Sequence, residues 1–579
     1  MKRTLMVTKY RSMLLGGTMI MVVTVLLTIV DFILAGRMLG EEALAGVNLV
    51  APLSSAAYFM TAVFTLGIPI MYSKEMGKFA KDKADQVFGF GLLISIILGV
   101  LLFLTAFFGG DAYLRFFDIG DTVYSYAKAY LFWTCFVFLI MPIQSFISSM
   151  LFADGDETLA STADIVQAVG NLPLSIFLCK LMGVQGLALG TFLTTLISLA
   201  ICSLHFLKKT NTLRFNIYFS GPLMVSVVKY SLIDSVSYIF IAVFSAAIEK
   251  YCVYRFGEEM LVVASVIVTL TELRLVFDGV GEAITPIMTV YLSEGTFAGV
   301  KNIYKHARTT SIIEGVALSL LVVAGAPLLT SILGITGEEV VRLSIDAARI
   351  TSFGYVFFSI LYLLSSYYTL RDKIALGFAI CGLRDIVISL PFAVVLGNIY
   401  GIYGMFVGLA VAPAAATIVS MVYVASKYGV TEYPLLIGNL ENSDKSLLFE
   451  FDITPEEVIR IRDEIETALK AHSYTHETVI RTMLLVEELF ILVHDINDGK
   501  LVLGECSITM DKDRIEVIEK DNGKPFDLTD KDMPVTSLRV YFITNLTSNI
   551  TISRRHLTTV SSNRNVFEVK AVREVKDIT

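Results

Sequence analysis

Long apolar runs separated by short polar breaks occupy the chain from residue 13 to about 425, and then cease. A bilayer crossing needs about 20 mostly apolar residues. Twelve such spans can be drawn, at 13–38, 44–72, 86–109, 122–150, 160–181, 184–207, 223–254, 260–292, 309–334, 341–369, 374–397 and 401–425. Beyond Lys427 the pattern changes. "SLLFEFDIT" at 446–454 reads as a strand, and amphipathic helices are predicted over 455–472 and 476–497. Strands near 501–510 and 513–520, a helix near 535–546 and strands near 550–555 and 565–572 complete an α/β domain. The pattern therefore predicts an all-α polytopic membrane unit of 12 transmembrane helices, followed by a smaller C-terminal domain with its own core.

The membrane part repeats itself. A shift of 218 residues places Asp154 on Asp372, Pro173 on Pro391, Gly183 on Gly401, Gly186 on Gly404, Gly190 on Gly408 and Gly77 on Gly295. With one gap, "RMLGEEAL" (37–44) meets "RFGEEML" (255–261). The expected organisation is a six-helix lobe over 1–220, a second over 221–430, a linker over 431–445 and the α/β domain over 446–579. Each half has an even number of spans, so both lobes share one orientation, and repeats of this kind place a transport site between or within the halves.

Composition sharpens this picture. The chain is 55% hydrophobic with mean hydropathy +0.69 and 17% charged residues, against about 25% charged in a soluble protein. Six cysteines without CxxC or Cys/His spacing indicate neither disulfides nor a zinc site, and no metal is expected. Residues 1–11 form a short basic lead into the first span, with no cleavable secretory signal expected. Lysines and arginines follow the even-numbered spans (Lys74, Lys78, Lys81 and Lys83; Lys208, Lys209 and Arg214; Lys301, Lys305 and Arg308; Arg371 and Lys373). By the positive-inside rule, both termini of this multi-pass cell-membrane protein are expected on the cytoplasmic side. No nucleic-acid partner is expected.

Ionisable groups inside spans are the candidate chemistry, because they need a partner or water there. Asp31 interrupts the first span, either as a carboxylate bonded to a helix end or as a protonatable or Na⁺-binding group. In the fifth span Gln167, Asn171 and Ser175 share one helix face around Pro173; they are helix–helix contacts or cation ligands. The second half differs from the first. Glu272, Arg274, Asp278 and Glu282 stand where the repeat has Ser54, Ala56, Met60 and Phe64, with Arg274–Asp278 and Asp278–Glu282 at i,i+4. Glu249 falls within one residue of Asp31's repeat position, and Arg384–Asp385 occupies the eleventh span. These residues either neutralise one another or line a polar cavity.

Four stretches carry a resemblance: "VDFILAGRMLGEEALAGVNLVAP" (30–52), "YSKEMGKFAKDKADQVFGFG" (72–91), "FADGDETLASTADIVQAVGNLPLSIF" (152–177) and "YYTLRDKIAL" (367–376). Together they resemble the multidrug and toxic compound extrusion (MATE) transporters over nearly all of 10–425. The resemblance implies twelve helices in two six-helix lobes that exchange Na⁺ or H⁺ for an exported organic compound. It implies coupling roles for Asp31 and Asn171. Ser175 stands where many members have Asn or Asp.

"DNGKPFD" at 521–527 resembles the adenine-binding box of the GHKL (histidine-kinase-like, Bergerat-fold) ATPases, most closely the anti-sigma-factor kinases. The resemblance implies that Asp521 accepts from the adenine amino group, that Gly523 lets the chain turn near the base, and that Glu488 holds the catalytic-base position. Where the family places an Mg²⁺-binding Asn, this chain has Leu492, and "PVTSLRVY" (534–541) replaces the glycine-rich phosphate loop.

The expected function is secondary-active export of organic, cationic or amphiphilic compounds, without enzymatic activity and without a cofactor beyond the coupling Na⁺ or H⁺. The tail is expected to bind adenine nucleotide weakly, or a cytoplasmic regulatory protein. The alternatives are a lipid-linked oligosaccharide flippase of the same superfamily and a membrane sensor with a kinase-like tail.

Overall fold

The computed structural model describes residues 4–573 except 66, 79, 116–120, 210, 217, 258–259, 333–334, 336, 430–445, 512, 525, 527, 529–537, 548 and 554–562. The expected linker lies outside the described residues. The first half contains α1 (Leu5–Leu34), α2 (Glu41–Thr65), α3 (Gly67–Gly77), α4 (Lys81–Arg115), α5 (Asp121–Ala153), α6 (Glu157–Met182) and α7 (Val184–Ser203). The second contains α8 (Gly221–Phe256), α9 (Leu261–Leu273), α10 (Asp278–Glu294), α11 (Phe297–Ile332), α12 (Glu338–Ser352), α13 (Tyr355–Leu370), α14 (Ile374–Gly382) and α15 (Ser389–Tyr428).

Among the described residues, eight helices are long and apolar enough to cross a membrane, or nine if α12 and α13, bent by 48°, form one span. Part of the difference from twelve has local causes. A 3₁₀ turn at Arg274–Phe277 splits α9 from α10, whereas the π turn at Leu383–Val387 lies inside a single apolar run, Ile374–Tyr428. Gly401, at φ 71°, kinks α15 where two spans were drawn; only glycine takes that backbone without strain.

The halves meet closely. A Cβ on Gly17 of α1 would lie 2.6 Å from the Gly279 carbonyl oxygen of α10, so the bare backbones touch there. At the ends of α3 and α10, Gly77 packs on Ser293 with no room for a side chain. Gly77 is the repeat mate of Gly295, immediately after α10, so equivalent corners of the two halves adjoin. Lys74 reaches Asp372 at 2.8 Å beside them.

The C-terminal domain contains β1 (Ser446–Asp452), α16 (Pro455–Ala471), α17 (His476–Ile496), β2 (Leu503–Met510), β3 (Arg514–Asp521), α18 (Leu538–Leu546), β4 (Asn549–Ser553) and β5 (Asn563–Lys570). Thr454 caps α16 by accepting from the Glu457 amide, with Pro455 at the first helical position. The sheet is antiparallel throughout, in the order β1-β2-β3-β5-β4. Its inner face (Cys506, Ile508, Ile515, Val517, Phe567 and Val569) packs on Ile461, Ile465, Leu485, Leu489 and Val493 of the helices. An antiparallel sheet normally leaves its other face to water. Here that face is buried as well, against the membrane unit.

Candidate functional site

Three groups of polar residues stand apart from ordinary packing. The first lies along α6, where Asp164, Gln167, Asn171 and Ser175 recur at helical spacing and are all buried. Asp164 accepts from Gln144 Nε2 and Ser148 Oγ, both at 3.1 Å. Gln167 and Asn171 donate at 3.0 Å to Thr195 and Thr191 of α7. Asn171 Oδ1 and Ser175 Oγ, one turn apart, are buried without a hydrogen-bond partner among the described residues. Asp31 lies in α1, but its side chain is outside the described residues. Asp164 went unnoticed although it gave the same signal as Asp31, a carboxylate within a span.

The second group is in the other half. The 3₁₀ turn changes the helical phase after Leu273, and the expected i,i+4 pairing of Arg274 with Asp278 does not form. Glu249, Glu272, Asp278 and Glu282 make no side-chain hydrogen bond or ion pair with a described residue, and all four are half-buried. Arg384 is matched by Asp385, through bonds of 2.8 and 2.6 Å, and its guanidinium lies 3.5 Å from the centre of the Tyr362 ring. Glu314 of α11, a second carboxylate missed in the sequence, accepts from Thr18 of α1 at 3.1 Å. Glu282 also adjoins α1, at Gly17.

The third group is the buried outer face of the C-terminal sheet. Glu450, Glu505, Lys520 and Arg564 are register partners across β1, β2, β3 and β5, so their side chains form one row, two acids followed by two bases. Lys520 donates to Glu505 at 2.9 Å and to Glu294, the last residue of α10, at 2.8 Å. Arg564 pairs with the other Glu294 oxygen at 2.8 Å and donates to the Met76 and Gly77 carbonyls at 2.9 and 2.7 Å. Those carbonyls end α3, where unsatisfied acceptors and the helix dipole favour a cation. Tyr291 donates to Glu505, Thr296 and Ser507 share a bond of 2.8 Å, and Asn302 donates to Glu450 at 2.9 Å. Lys520, Glu505, Tyr291, Thr296 and Ser507 are all 0% exposed, which is how a protein interior looks, not a domain surface. Burial, with Glu505 adding repulsion, pushes the Glu450 carboxyl up to about 7. One residue, Arg564, thus touches equivalent corners of both halves. Nothing in the sequence marked this seam, since its charges alternate as on a solvated strand.

The nucleotide-box residues are also placed. Asp521 accepts from the Gly523 amide and from Asn563 at 2.9 Å, and it adjoins the buried Glu519 carboxyl. A Cβ on Gly523 would lie 2.5 Å from Asn497 Nδ2, which explains the glycine. Glu488 is held by Arg539 at 2.7 Å, and Leu492 is buried in the core.

Residues 18–177 match the protein family described as MatE. No curated protein sequence matches the chain. Solved structures resemble it in fold. An outward-facing multidrug resistance MATE family transporter of the MOP superfamily is 20% identical, with TM-score 0.67, over 72% of this chain and 95% of its own. A MATE in complex with MaD3S is 20% identical, with TM-score 0.65, over 74% and 96%. A MOP superfamily transporter from Pyrococcus furiosus Vc1, whose binding pocket is described as of reverse polarity, gives the same four values.

Proposed function

We propose that this multi-pass membrane protein, a transporter of the MATE type by family match and fold, exports organic compounds in exchange for Na⁺ or H⁺ under the control of its C-terminal domain. On this reading the compounds are cationic or amphiphilic, the chain crosses the membrane twelve times, and both termini are cytoplasmic. The observation that carries the coupling is on α6. Asn171 Oδ1 and Ser175 Oγ are buried oxygens lacking a partner among the described residues, and such a pair is expensive unless a cation, a proton or a substrate group completes it. Asp164, one helical turn before Gln167, supplies a carboxylate to the same stripe, and Asp31 of α1 is proposed to act with it.

Control follows from the docked sheet. Arg564 and Lys520 tie the end of α3 to the end of α10, and a domain that contacts both halves favours the state in which those ends adjoin. The docked tail therefore holds the cytoplasmic side closed, and its release permits opening. Weak adenine binding at the Asp521–Gly523 box is the proposed releasing signal. A partner protein would act in the same way. With Glu488 engaged by Arg539, phosphoryl transfer is not proposed. Counterflow of labelled cationic dyes in proteoliposomes, under imposed Na⁺ or H⁺ gradients, tests the transport reading. Uptake that follows neither gradient would refute it.

A further inference from the structure

The strap that joins the two halves is, we propose, a binding surface for anionic phospholipid at the membrane border. It runs over 208–220, between the 3₁₀ turn at Leu204–Leu207 and the start of α8, and 210 and 217 lie outside the described residues. The strap is pinned to the first half. The Thr212 amide donates to Asp154 at 3.1 Å, and Lys81 of α4 donates to the Thr212 carbonyl. Further along, a Cβ on Gly89 of α4 would lie 1.8 Å from the Asn216 carbonyl oxygen, so the two backbones touch. The Phe219 ring then stands 6.0 Å from that of Phe90.

These contacts set the strap's depth. Lys81 and Phe90 are about 14 Å apart along a helix, so Thr212 lies level with the charged start of α4 and Phe219 level with its apolar body. That body is long and apolar enough to cross a membrane. The strap's cations come first, with Lys209 and Arg214 exposed and Lys208 held by Asp156 at 2.6 Å. Its rings come last: Phe215 and Phe219 are 55% and 65% exposed, and Tyr218 is exposed beside them. Facing water, such a cluster would forgo the burial that drives apolar groups together. At a bilayer border the rings enter the acyl region while the cations stay among the headgroups. The acids of this corner are already engaged, Asp85 by Lys81, Asp154 by His205 and Asp156 by Lys208. Lys209 and Arg214 therefore complement a headgroup with net negative charge, whereas a zwitterionic headgroup balances its own phosphate.

The test is quenching of tryptophan fluorescence by brominated lipid, in the full chain reconstituted into mixed phosphatidylcholine and phosphatidylglycerol bilayers. The chain has one tryptophan, Trp133, about 30 Å along α5 from the Ala153 end that adjoins the strap. With Phe219→Trp in a Trp133→Phe background, brominated phosphatidylglycerol should occupy the site at least threefold more than brominated phosphatidylcholine at equal mole fraction. At Trp133 in the unmodified chain the two lipids should quench alike. Adding Lys209→Gln and Arg214→Gln to the Phe219→Trp protein should abolish the preference. Should Phe219→Trp not fold, Leu207→Trp, at a position 82% exposed, gives the same readout. Equal quenching at the strap, an equal preference at Trp133, or a preference that survives loss of both cations would overturn the assignment. The inference rests only on the chain spanning a membrane. Its failure leaves the transport reading standing, and loss of gradient-driven uptake with the lipid preference intact counts against transport alone.

Discussion

Lys520, in the third strand of the C-terminal domain, donates to Glu294 at the end of α10, 2.8 Å away and 226 residues earlier in the chain. Neither group reaches solvent: their side chains are 1% and 0% exposed. The bond is completed by Glu505 on one side and Arg564 on the other. On the proposed reading the docked domain takes part in transport, because every opening of that seam must rehydrate or re-pair these charges.

Replacing Lys520 by Met leaves Glu294 and Glu505 buried without their ammonium. Removing one partner of a buried pair costs about 3–5 kcal/mol, so the Lys520→Met domain is predicted to undock. Hydrogen exchange on β2 and β3 is the check. Protection of both strands should fall in the variant while that of α17 holds, and unchanged protection would show the network to be dispensable.

Docking is predicted to weaken with rising pH through Glu450. Its docked value, about 7, is raised above 4.5 by burial first and by Glu505 second. The stability it contributes is therefore fully present below about 4.5, declines as pH rises towards the docked value near 7, and is then flat, an effect of about 1–3 kcal/mol. Glu450→Gln should remove that slope. A melting series between pH 5 and 8 with the same slope in both proteins would assign the effect elsewhere.

Asp164→Asn and Asn171→Ala are each predicted to reduce gradient-driven uptake at least tenfold, with melting temperature little changed. Asp31→Asn should behave alike. Uptake intact in all three would place coupling elsewhere, with Glu282 and Glu314 beside α1 the next candidates.

The full chain is predicted to hydrolyse no ATP, since Arg539 holds Glu488 and Leu492 offers no metal ligand. Isothermal calorimetry should show at most weak adenine-nucleotide binding, insensitive to Mg²⁺ and reduced by Asp521→Asn. Turnover, or tight Mg²⁺-dependent binding, would restore the kinase-like alternative.

Much of the fold was legible because periodicity reports local structure. The amphipathic stretches 455–472 and 476–497 became α16 and α17, and "SLLFEFDIT" became β1. Breaks inside spans were less legible. Nothing in "LTELRLVFDGV" announces that the helix tightens at Arg274, yet that turn shifts Arg274 out of phase with Asp278. Asp164 and Glu314 were readable in principle as lone carboxylates in apolar helices. The docking row was not: Glu505, Lys520 and Arg564 come from three strands, and only sheet register aligns them.

The central claim is that the docked domain keeps the ends of the two halves together, so turnover requires its release. Thr296 and Ser507 face each other across the seam, with hydroxyl oxygens 2.8 Å apart, and the six native cysteines are buried. A Thr296→Cys/Ser507→Cys protein should therefore cross-link on mild oxidation. In proteoliposomes the oxidised form is predicted to lose at least nine-tenths of gradient-driven dye uptake and to regain it on reduction. Uptake that continues at the reduced rate with the cross-link intact would contradict the account.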